Sequence, residues 1–102
     1  MNKQLVEFYV AGMKYYKGVM YTVDINEGDY IELSLEPENK FDKYAVTIIW
    51  NDHMMGYVPK TLSKIISTLI QNGIKLDAKV IKVDPCAESY EILKVEISLA
   101  ET

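Results

Sequence analysis

Three short segments set aromatic rings and lysines where apolar runs end. They are Gly12-Met13-Lys14-Tyr15-Tyr16, Pro37-Glu38-Asn39-Lys40-Phe41-Asp42-Lys43-Tyr44-Ala45-Val46 and Met55-Gly56-Tyr57-Val58-Pro59-Lys60. Apolar runs build strands, and strand ends are where a scaffold displays its working residues. A displayed ring beside a lysine suits a single-stranded nucleic acid. Its face stacks a base for about 1 to 3 kcal/mol, and the ammonium meets the neighbouring phosphate. Lys14 with Tyr15 fits that use, because adjacent strand residues point to opposite faces and only one of Tyr15 and Tyr16 need pack inward. On the residues alone, edge packing of both rings is the commoner account. In Asn39 to Asp42 the amide and carboxylate are good turn formers. Phe41 there either plugs the core or offers a stacking face, with Asp42 beside it as an acceptor. Lys60 follows Pro59 at the expected entry of a helix, where backbone amides favour anions; a solvated lysine on the first turn is the plain alternative.

The elements that must carry these segments follow from periodicity. Leu5 to Met13 alternates around Val6, Phe8 and Val10 and predicts a first strand. Lys14 to Tyr21 reads as a loop or short helical turn, and Asn26-Glu27-Gly28-Asp29 as a turn. Strands are predicted over Tyr30 to Leu35 and Ala45 to Trp50. The latter turns at Asn51 to His53 into Met54 to Val58, forming a hairpin. From Pro59 the spacing of Leu62, Ile65, Ile66, Leu69 and Ile70 predicts an amphipathic helix, about Thr61 to Gln71, whose stripe belongs to the core. Thr61 or Ser63 is placed to cap it, and Gly73 to end it. Lys75 to Val83 and Tyr90 to Leu99 complete the strands. The sum is a mostly β, α+β fold of six antiparallel strands, with one helix between strands four and five.

At 102 residues the chain has room for one core, so residues 1–102 are read as a single domain. No apolar run approaches the ~20 residues of a membrane span, and the N-terminus lacks a signal-peptide pattern. The single cysteine, Cys86, cannot form an internal disulfide, which fits a reducing, cytoplasmic setting. It reads as a small turn residue, and the single histidine, His53, as part of a turn. The sequence shows no metal-ligand spacing, no phosphate-binding glycine loop and no histidine-centred relay, so no cofactor and no enzyme is expected. The net charge of −4 weighs against nucleic acid, which needs cations. Its distribution is uneven: six acids lie between Asp24 and Glu38, whereas residues 39 to 70 hold Lys40, Lys43, Lys60 and Lys64 against Asp42 and Asp52. All eleven basic residues are lysine, which removes bidentate guanidinium contacts.

The three segments together resemble the HIRAN domain: Gly-x-basic-Tyr-Tyr, then Pro-x-Asn-x-aromatic-Asp-x-x-Ala-Val, then Ile/Val/Met-Gly-Tyr/His-hydrophobic-x-Lys. The resemblance covers roughly residues 7 to 98 and implies an OB-like barrel or curved sheet. It suits a free-standing bacterial or phage member. It implies single-stranded DNA as the partner, with the free 3′ end held by the aromatic-Asp pair. There Asp42 would accept from the terminal hydroxyl, where the phosphate of a continuing strand would be repelled. By the same resemblance Lys14, Tyr15, Phe41, Asp42 and Lys60 form the site. Tyr90, at the start of the last strand, aligns with a further stacking residue. The implied setting is DNA repair, replication or phage biology, with a protein partner such as a helicase. The alternative is a protein- or peptide-interaction module on the same fold, which net acidity and the lack of arginine favour.

Overall fold

In a computed structural model that describes residues 3–13, 18–88 and 90–100, the strands are β1 (Lys3–Tyr9), β2 (Tyr30–Leu35), β3 (Val46–Trp50), β4 (His53–Tyr57), β5 (Leu76–Val83) and β6 (Leu93–Leu99). A short helix, α1 (Gly18–Tyr21), precedes β2, and α2 (Lys60–Gln71) joins β4 to β5. All six strands pair antiparallel in one sheet, in the order β1-β6-β5-β2-β3-β4. Beyond β1, Ala11 bridges to Tyr57 of β4 through two backbone hydrogen bonds of 2.8 and 2.9 Å. That bridge joins the two outer strands and closes the sheet on itself, in keeping with the OB-like expectation.

Alternation supplies the interior. Leu93, Val95 and Ile97 of β6, Ala78 and Val80 of β5, Ile48 of β3 and Met55 of β4 are buried in one cluster with Phe8, Val10 and Met13. Ile92 and Leu93 are both buried, and so is Ser98. The closure dictates one residue type. A side chain at Gly56 would run into the Ala11 carbonyl oxygen and come within 2.8 Å of the Val10 Cγ1 methyl, so the two segments meet only over a glycine. The β3–β4 turn is two residues long. Asn51 and Asp52 both take positive φ (47° and 67°), the backbone a tight hairpin requires. His53 therefore opens β4 rather than lying in the turn.

The helix differs from the expectation in its facing and its start. Ser63, Ile66 and Ser67 are its buried residues, Leu62 and Ile70 flank them, and Ile65 is 59% exposed. The stripe is turned by about one position because two small serines let the helix approach closely, which larger side chains would prevent. Pro59 is the N-cap and no side chain caps the helix, so neither Thr61 nor Ser63 has that role. The stop is as expected: Gly73 (φ 80°) donates to Ile70 and Ile74 to Leu69, a Schellman closure.

Candidate functional site

The segment between β2 and β3 is shaped by its own side chains. The Asn39 carboxamide oxygen accepts the backbone N–H of Phe41 (2.8 Å) and of Asp42 (3.0 Å). Its amide nitrogen donates to the Glu36 carboxylate at 2.8 Å, and the Tyr57 hydroxyl donates to the same oxygen at 2.9 Å. The loop is thereby tied to β4, the strand that closes the barrel. Phe41 is not a core plug: held by its backbone, it is 87% exposed. Packing gives no account of a phenylalanine displayed so fully.

Asp42 is fixed at both oxygens. Oδ1 accepts the Tyr44 N–H at 2.9 Å, and Oδ2 accepts the Ser63 hydroxyl at 2.7 Å. The Ser63 bond is the main cause that holds the carboxyl below the usual aspartate range, with lesser help from the Tyr44 amide and the Lys60 charge and some opposition from burial. Asp42 is thus an ionised acceptor. Phe41, Asp42 and Lys60 all line one cleft of about 790 Å³, with Ala11, Gly12, Glu36, Asn39 and Tyr57 among the other walls. Three acidic residues (Glu36, Glu38, Asp42) and two lysines (Lys40, Lys60) line it. Outside the lining, Lys43 and Lys64 sit over the Tyr44 ring at 5.2 and 5.5 Å.

Of the residues singled out from sequence, Phe41, Asp42 and Lys60 are brought together by this cleft. Lys14 and Tyr15 lie outside the described residues, though Gly12 just before them is in its wall. Tyr90 is not among the lining residues. It is exposed in the turn ahead of β6, which begins at Leu93 and not at Tyr90 as expected. Sequence reasoning missed Glu36, Tyr57 and Ser63 as parts of the site. Tyr57 stood inside a motif already marked; the pairing of Ser63 with Asp42 spans 21 residues and left no local signal.

A small closed β sheet with a helix after its fourth strand, and a cleft where the closing strand meets the β2–β3 loop, defines the class. The HIRAN domain matches residues 3–99, and the chain belongs to that family. Among curated proteins it is 29% identical over 96 residues to the Fanconi-associated nuclease 1 homolog of Arabidopsis thaliana, covering 92% of this chain and 10% of that one. It is 31% identical over 67 residues to the helicase-like transcription factor of Oryctolagus cuniculus, covering 65% and 6%. The chain thus spans a tenth or less of these relatives. Among solved structures, a protein from Lactobacillus plantarum superposes with a TM-score of 0.82 at 21% identity, covering 97% of this chain and 95% of that one. The HIRAN domain of human HLTF superposes with a TM-score of 0.74 at 20% identity, covering 95% and 74%. No helix among the described residues is long and apolar enough to cross a membrane.

Proposed function

We propose that this HIRAN domain is a non-enzymatic module that binds single-stranded DNA and takes the 3′ end into the cleft, in the service of DNA repair, replication or phage biology. The observation that carries the reading is the displayed Phe41 ring beside an ionised Asp42, with Lys60 on the same cleft. The ring offers a stacking face to the terminal base. Each Asp42 oxygen spends one acceptor direction internally and keeps another for a terminal hydroxyl. Lys60 stands at the uncapped N-terminus of α2, where an ammonium and the first backbone amides favour the preceding phosphate. Lys14, Tyr15 and Tyr90 are assigned to the same strand on the family resemblance. The presence of HIRAN relatives in a nuclease and a helicase-like protein supports a DNA setting and a helicase as protein partner.

The test is the preference between an oligonucleotide with a free 3′-hydroxyl and its 3′-phosphorylated counterpart. The wild-type protein is expected to favour the former. Asp42→Ala should cost the hydroxyl strand roughly tenfold, the range of a hydrogen bond to a charged group, and leave the phosphorylated strand as weak as before or slightly tighter. Equal binding of both strands by wild type rules out end recognition. Binding of neither at low salt passes the cleft to a peptide, a reading that its three carboxylates favour.

A further inference from the structure

The far end of the β2–β3–β4 meander carries a second surface. Met20 and Val23, three residues apart on α1 and the turn that follows it, are 70% and 75% exposed. Between them Tyr21 stacks on His53, with ring centroids 3.9 Å apart and planes inclined by 13°. His53 in turn lies beside Trp50, at 6.3 Å between centroids. The stacked rings anchor the segment that carries the two exposed apolar side chains. Exposed apolar residues so grouped, with a polar rim, mark contact surfaces.

Four acids belong to the described part of this end. The Asp29 carboxylate accepts from the Trp50 indole N–H at 3.2 Å, Asp24 is held in the turn by its N–H to the Tyr21 carbonyl, and Asp52 is the hairpin tip next to His53. Glu27 lies in the same turn region as Asp29. Residues 20–29 and 50–53 hold these four acids and no lysine. Lys79, which pairs with Tyr30 across the β2–β5 ladder, is itself engaged by Glu96. A phosphate backbone would be repelled here.

We infer that this end docks a basic, amphipathic segment of a partner protein, apolar side chains on Met20 and Val23 and lysines or arginines on the acidic rim. Charge complementarity selects that occupant over DNA. The surface is independent of the cleft and of the function proposed for it.

Trp50, the single tryptophan of the chain, reports on it directly. The full chain is titrated with a synthetic amphipathic peptide of lysine and leucine, and with a control in which glutamate replaces lysine, following tryptophan emission. The lysine peptide should shift the emission and the glutamate peptide should not. Met20→Ala with Val23→Ala should weaken binding roughly tenfold, as for a contact centre. Asp24→Asn with Asp52→Asn should weaken it about threefold or more and flatten its salt dependence. Phe41→Ala should leave it unchanged. These five side chains are on the surface, so the variants keep the fold. No emission change, an equal response to both peptides, unchanged affinity in the two double variants, or loss on Phe41→Ala overturns the inference. So does concentration-dependent self-association in sedimentation that Met20→Ala with Val23→Ala abolishes, since a second copy would then own the surface.

Discussion

The two ends of the β2–β3–β4 meander are built from the same strands and present opposite chemistry. β4 runs from His53, at the hairpin end, to Tyr57, in the cleft wall, a distance of about 13 Å at the usual rise of a strand. At the cleft end a displayed ring stands among mixed charges, and the 36–42 loop is held by the Asn39 amide, the Glu36 carboxylate and the Asp42–Ser63 hydrogen bond. At the hairpin end the displayed apolar side chains of Met20 and Val23 share the 20–29 and 50–53 segments with four acids. A net charge of −4 thus says little about either end. Four of the fifteen acids lie at the hairpin end, and three line the cleft. What a small domain can bind is decided by which strand end a charge sits on, not by the sum.

The comparison breaks most severely at the barrel closure, which belongs to the cleft alone. Gly56→Ala would drive a methyl into the Ala11 carbonyl and the Val10 side chain. A denaturant melt should show a loss of about 1 to 3 kcal/mol, the range for overpacking a filled site. Ala11 and Tyr57 both line the cleft, so oligonucleotide binding should weaken as well, while the peptide titration at Trp50 keeps its midpoint. Equal loss at both ends would show that they are not separable.

A smaller effect comes from Lys60→Ala. One phosphate contact removed should weaken all single strands alike and reduce the slope of log K against log salt by about 0.7. An unchanged slope would take Lys60 out of the cleft's chemistry. The smallest effect is at Ser63. Its hydroxyl is the chief reason the Asp42 carboxyl is held low, so Ser63→Ala should raise that carboxyl toward the ordinary aspartate value in an NMR titration. The sign for stability follows. A folded value below the unfolded one stabilises the protein above about pH 4, and that stability is lost as pH falls through the folded value. The difference between wild type and Ser63→Ala should therefore be largest near neutrality and shrink in acid.

Much of this was legible in the chain. Period-two alternation placed β2 at Tyr30 to Leu35, and Gly73 marked the helix stop, because both signals are local and sterically enforced. The marked segments held Phe41, Asp42 and Lys60, since turn formers at strand ends are a backbone requirement readable one residue at a time. The facing of α2 was not legible. Ile65 and Ile66 are equivalent in hydropathy, and only the close seat of Ser63 and Ser67 on the barrel turns Ile66 in and Ile65 out.

By itself the sequence determined six strands, one long helix between the fourth and fifth, and a set of residues whose chemistry suits a displayed site. These are properties of neighbours along the chain, where periodicity, turn chemistry and composition act. Tertiary structure decided that Ala11 meets Tyr57 over Gly56, that Ser63 reaches Asp42, and that Tyr21 stacks on His53. Each of these contacts joins segments many residues apart, and its energy exists only once the barrel has closed.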